Sequence, residues 1–115
     1  KSMRIADSHV NSFKMALAAG VTIAMGTDSG TPLNHPGNNA KELELMVECG
    51  MTPLQALKAT TSVAAEVCDR AEIIGSLEAG KFADVVIFDG NPFEDIKCLQ
   101  EKPWLVIKEG KKVQQ

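Results

Sequence analysis

Tyrosine is absent from this chain, tryptophan occurs once and phenylalanine four times. That leaves few rings on which nucleic-acid bases could stack. The 12 basic and 15 acidic side chains are interspersed, giving a net charge of −3 and no basic patch for a phosphate backbone. The composition therefore argues against nucleic acid as a partner. No apolar run approaches the roughly 18 residues of a membrane-spanning helix, so no helical membrane span is expected. Cysteine is scarce too. Cys49, Cys68 and Cys98 form an odd set with no Cys-x-x-Cys pair, which is neither a disulfide scaffold nor a structural zinc site. Reduced thiols in a cytoplasmic protein are the expectation. No internal repeat or low-complexity segment is found. The lack of a secretory leader excludes nothing, because Lys1 is not an initiator methionine.

What is present is one domain's worth of chain or less: 115 residues, 44% of them hydrophobic. Its organising stretch is Gly20-Val21-Thr22-Ile23-Ala24-Met25-Gly26-Thr27-Asp28-Ser29-Gly30. Val21 to Met25 are β-branched or apolar and read as a short buried strand, with Asp28 just past its carboxyl end. That end of a parallel strand is where α/β enzymes place ligands and catalytic groups. Taken alone, the pattern favours Asp28 as a cap of the following turn, because strand-then-turn sequences of this kind are common.

Around this stretch the chain reads in order. Asp7 or Ser8 is placed to cap a helix through Val10, Phe13, Met15, Ala16, Leu17 and Ala19, which Gly20 ends. Helix, glycine and doubly apolar strand make the αβ half of a parallel α/β unit. Gly26 to Asn39 is a long polar loop stiffened by Pro32 and Pro36, and loops of that length in a compact unit tend to be functional or disordered. A helix follows from about Asn39 to Cys49. Thr52-Pro53-Leu54-Gln55 then combines a cap, a proline at the first helical position and a capping-box glutamine. That helix runs to Thr60-Thr61, and Ser62 to Cys68 forms another. Past residue 72 helical period yields to strand period: Ala83 to Asp89, a helical or irregular connection from Glu94 to Lys102, Trp104 to Lys108, a turn at Glu109-Gly110, and a short strand from Lys111 to Val113. Gln114-Gln115 is expected to fray.

Four stretches, in this order, resemble the carboxyl-terminal portion of metal-dependent amidohydrolases. They are Ala19-Gly20-Val21 through Ser29-Gly30; Glu42 to Val47 with Gly50 to Leu57; Ala59-Thr60-Thr61 with Ala64-Ala65-Glu66; and Ile74 to Val86 with Gly90-Asn91-Pro92. Within that superfamily they are most similar to imidazolonepropionase-like enzymes and zinc-dependent Xaa-Pro dipeptidases. The resemblance implies an α/β fold. Residues 1–72 would be the last βα portion of a (β/α)₈ barrel, and residues 73–115 strands of a small composite β-sandwich.

The resemblance further implies that Asp28 is a metal ligand and the general base, taking a proton from a metal-activated water. The metal would be zinc, as one or two ions. A bound divalent ion lowers the pKa of water from 15.7 to about 7, which brings its remaining proton within reach of a carboxylate. His35, in the same loop, would contact the substrate, unless it is simply a solvent-exposed histidine. Ser29 and Thr31 would hydrogen-bond around the Asp28 carboxylate. His9 reads as a surface residue beside a helix, and Asp84 and Asp89 as structural turn residues. The family's His-x-His pair, its carboxylated lysine or glutamate and its later histidines have no counterpart here, whereas a catalytic zinc takes about three protein ligands.

The expected function is therefore that of a carboxyl-terminal segment of a hydrolase cleaving amide C–N bonds in a dipeptide or N-acyl amino acid, inactive by itself. The alternatives are a non-catalytic α+β interaction module, or a deaminase or cyclic amidase of the same superfamily. The expected partner is a small-molecule amide or dipeptide, and a homo-oligomer is the association that would cover strand edges left open.

Overall fold

A computed structural model describes residues 2–113. Four helices precede a small sheet: α1 (Ser2–Ala18), α2 (Lys41–Glu48), α3 (Pro53–Thr60) and α4 (Ser62–Val67), then β1 (Val85–Ile87), a 3₁₀ helix (Ile96–Gln100), β2 (Leu105–Lys108) and β3 (Lys111–Lys112). The expected fraying of Gln114-Gln115 lies outside the described residues.

Local chemistry explains most of these boundaries. Gly20 ends α1 at φ +76, a conformation that costs a residue without Cβ little. Its N–H donates to Leu17 O at 3.2 Å and that of Val21 to Ala16 O at 3.0 Å, the paired bonds of a Schellman cap. At α3 the capping box is complete. The Gln55 N–H donates to Thr52 Oγ1 at 3.1 Å, and the Thr52 N–H donates to Gln55 Oε1 at 2.9 Å. The 3₁₀ helix is capped by Asp95, whose side chain accepts from the Lys97 N–H at 3.0 Å.

Two expectations are corrected. Helix α1 begins at Ser2, so Asp7 and Ser8 lie inside it rather than at its cap. Nothing in the first turns breaks the helix, and both residues are exposed and solvated there. The second correction concerns Val21 to Met25, which belongs to no β-ladder among the described residues. A strand is defined by its pairing, and the backbone N–H groups of this stretch donate instead to helices, Val21 to Ala16 O at 3.0 Å and Met25 to Ala59 O at 2.9 Å. The segment is thereby tied to the end of α3, with Ile23 and Met25 packed on the core and Val21 56% exposed.

That core is formed by Leu43 and Met46 of α2, by Met51 in the connection after it, by Ala56 and Ala59 of α3, and by Ile96 of the 3₁₀ helix. Phe13 and Leu17 of α1 pack against it. Small residues at Ala56 and Ala59 let the helices approach closely, and α3 continues almost directly into α4.

The sheet has the order β1-β2-β3 and is antiparallel throughout, with Val86 opposite Val106 and Ile107 opposite Lys112. Glu109 (φ +51) and Gly110 (φ +80) both take left-handed backbone in the β2–β3 turn, as a two-residue hairpin of matching twist requires. The strand expected over Ala83 to Asp89 is shorter, Val85–Ile87. Val86 and Trp104 remain 51% and 72% exposed, so this sheet leaves apolar surface open to solvent.

Candidate functional site

The loop leaving the Val21 to Met25 segment carries all four residues singled out in the sequence. Asp28 has φ +49, in the left-handed region that aspartate tolerates better than most side chains. It is exposed, as are Ser29, Thr31 and His35. Among the described residues, no side-chain hydrogen bond joins Ser29 or Thr31 to the Asp28 carboxylate, and that carboxylate has no protein donor. The loop thus presents a hard oxygen donor to solvent at the end of a segment anchored to the core.

The loop is ordered by Asn34, which a reading by residue type passes over. The Asn34 Nδ2 donates to Thr27 O at 2.6 Å and to Asp28 O at 3.1 Å. Its backbone closes the turn: the Gly30 N–H donates to Asn34 O at 2.8 Å, and the Asn34 N–H donates to Thr31 O at 3.0 Å. Thr31 and Asn34 form an isolated antiparallel bridge around Pro32 and Leu33. The available sequence signal is that asparagine bonds to nearby backbone in turns.

The donor chemistry of Asp28 suits one ligand of a divalent ion. Among the described residues, however, no group of three or more His, Cys, Asp or Glu side chains is arranged to hold a metal. The residues present thus fit a metal only as contributors to a site completed from elsewhere. Two surface depressions, one lined by Ile87, Phe88, Asp89 and Trp104 and the other centred on Arg70, include neither Asp28 nor His35. Hydrogen bonding from Lys41, then from Gln100, holds the Glu44 carboxyl below the ordinary glutamate range. Asp84 is held down by the Glu109 N–H and then by Lys108.

This chain is similar to several known proteins. Ochratoxinase from Aspergillus niger is 46% identical over 103 residues, which cover 88% of this chain and 21% of that protein. Imidazolonepropionase from Geobacillus kaustophilus is 42% identical over 77 residues, 62% of this chain and 17% of that one. A crystal structure of a Xaa-Pro dipeptidase with methionine bound in its active site superposes with a TM-score of 0.85 at 38% identity. It covers 92% of this chain, which in turn spans 25% of that structure. The chain therefore corresponds to about a sixth to a quarter of the length of these relatives. The amidohydrolase family model matches residues 1–115, and the chain belongs to the amidohydrolase family.

Proposed function

We propose that this chain is the carboxyl-terminal segment of a metal-dependent hydrolase that cleaves an amide C–N bond in a dipeptide or N-acyl amino acid. Residues 1–72 then complete a (β/α)₈ barrel, and residues 73–115 contribute strands to a β-sandwich. The relatives named a dipeptidase and an ochratoxinase support the substrate class. The single observation that carries the reading is Asp28: a solvent-facing carboxylate, held at φ +49, at the end of a segment that has no strand partner among the described residues. Barrel strands on either side would supply that partner.

A bound divalent ion, zinc in this reading, supplies Lewis acidity that makes water nucleophilic near neutral pH. Asp28 contributes one ligand oxygen and accepts the proton that the attacking water gives up, then returns it to the leaving amine. Ser29 and Thr31 hydrogen-bond around the carboxylate in the assembled site, and His35 contacts the substrate from the loop. The chain alone, with one ligand of the several required, is inactive. Three free thiols suit a cytoplasmic setting. A homo-oligomer would cover apolar surface at the sheet edge.

The test is Asp28→Asn in the full-length protein. Loss of most turnover together with reduced metal content is expected, and near-normal turnover with full metal would overturn the reading. The imidazolonepropionase match favours a second reading, a deaminase or cyclic amidase. Parallel assays on dipeptides and on cyclic imines or amides separate the two.

A further inference from the structure

We propose that Asn34 is a positioning residue for Asp28, an inference that rests on the reading of Asp28 as a metal ligand. The Thr27 carbonyl belongs to the peptide plane before the Asp28 α-carbon, and the Asp28 carbonyl to the plane after it. One amide group, Asn34 Nδ2, donates to both, at 2.6 and 3.1 Å. The orientation of those two planes defines φ and ψ at Asp28, and so the direction in which its Cβ and carboxylate leave the backbone. Among the described residues no backbone N–H competes for either carbonyl. The clamp therefore favours φ +49 at Asp28, a conformation that aspartate tolerates better than most side chains but that still costs free energy relative to right-handed backbone.

Asn34 is itself fixed. Its N–H and C=O are both engaged, with Thr31 and Gly30, across the tight turn that contains Pro32. The side chain is half-buried while its neighbours Leu33 and His35 are exposed. The chemistry selects this residue type. Aspartate has no proton to give a carbonyl, serine is shorter, and glutamine carries the amide one methylene further out. A metal ligand must be held close to its productive direction, and the groups that orient ligands typically change metal affinity about 10- to 100-fold when removed.

The experiment uses the full-length protein, stripped of metal and reconstituted with Co²⁺. Visible d–d absorption and Co²⁺ affinity, measured by chelator competition, are the readouts. Asn34→Leu removes both donors at nearly constant volume, and Asn34→Ala guards against misfolding caused by the leucine. Asn34→Gln is the conservative rescue, and Leu33→Ala, at a 97% exposed neighbour, is the loop control. The expected result is a Co²⁺ affinity lowered about 10- to 100-fold and a changed spectrum in the Leu and Ala variants. Glutamine should fall between them and wild type, and Leu33→Ala should match wild type. Wild-type affinity and spectrum in both Asn34→Leu and Asn34→Ala would overturn the proposal, as would an equal loss in Leu33→Ala. Asp28→Asn run alongside separates the two claims. If it loses Co²⁺ while the Asn34 variants do not, Asp28 stands as ligand and the clamp falls. If it keeps Co²⁺ at wild-type affinity, the ligand assignment falls and the clamp with it.

Discussion

Glu44 and Gln100 meet through a hydrogen bond of 2.5 Å from Gln100 Nε2 to Glu44 Oε2, across 56 residues of sequence. Lys41 Nζ donates to the same oxygen at 2.8 Å. Glu44 is only 8% exposed, so both donors answer a carboxylate that little water reaches. The bond ties helix α2 to the 3₁₀ helix, whose Ile96 is buried in the same core as Leu43 and Met46. Gln100→Leu should therefore loosen the 3₁₀ helix more than the rest of the protein. Hydrogen exchange should speed up at the Cys98 and Glu101 amides, with a lower thermal midpoint, while α3 amides keep their protection. Unchanged exchange in the 3₁₀ helix would show that Ile96 packing alone holds it.

A second fastening closes the hairpin. Asp84 accepts from the Glu109 N–H at 2.9 Å and from Lys108 Nζ at 3.0 Å. These contacts hold Asp84 below the ordinary aspartate value of about 3.9 and Lys108 above the ordinary lysine value of about 10.4. For the carboxylate, whose folded pKa is depressed, the stabilisation is present above the unfolded value and is lost as pH falls through the folded one. For the lysine, whose folded pKa is raised, it is present below the unfolded value and is lost as pH climbs through the folded one. The latch should thus be whole across neutral pH and fail at both extremes. Because the pair is partly exposed, salt should weaken it. Exchange of the Glu109 and Gly110 amides, corrected for intrinsic rates, reads the latch directly. Asp84→Ala should remove the acid-side step in their protection; a step of equal size in the variant would assign it to another group.

Gly75 approaches the start of α4 so closely that a Cβ there would stand 2.5 Å from Ala65 Cβ and 3.1 Å from Thr61 O. Its φ is +95, where a side chain is strained even in open space. Gly75→Ala should cost roughly 1–3 kcal/mol for the backbone alone, with the clash added. Gly80, at φ +92 but with nothing within 4 Å of the same ideal Cβ, is the comparison. Denaturant midpoints of the two alanine variants should differ, with Gly75→Ala the less stable. Equal midpoints would mean that α4 yields readily at Ala65.

Features set by neighbouring residues were legible in the sequence. The Thr52 and Gln55 box, the glycine after α1 and the Glu109-Gly110 hairpin each rest on chemistry within a few positions, and each is present in the structure. Helix α4 ends on Asp69 at φ +56 rather than on a glycine, so no residue type announced that cap. The Val21 to Met25 segment shows the opposite failure. Its composition suits a strand, but a strand also needs a neighbour, and the described residues bring none to it. The family resemblance reached Asp28 because the motif surrounds it. Asn34 escaped because its two hydrogen bonds depend on how the loop folds back, not on any spacing visible beforehand.

His35 provides the last test of the loop. It follows Asn34 directly, so the clamp that sets Asp28 also sets where the imidazole starts, and it is exposed. If His35 contacts the substrate in the ground state and transition state alike, its loss should raise KM and leave kcat nearly unchanged. A hydrogen bond to a charged substrate group is worth about 1.5–3 kcal/mol, so His35→Ala should raise KM about tenfold or more. Steady-state kinetics on a dipeptide, with the full-length protein at saturating metal, make the distinction. A fall in kcat at constant KM would move His35 from substrate binding to the chemical step, and no change in either constant would leave it a solvated loop residue.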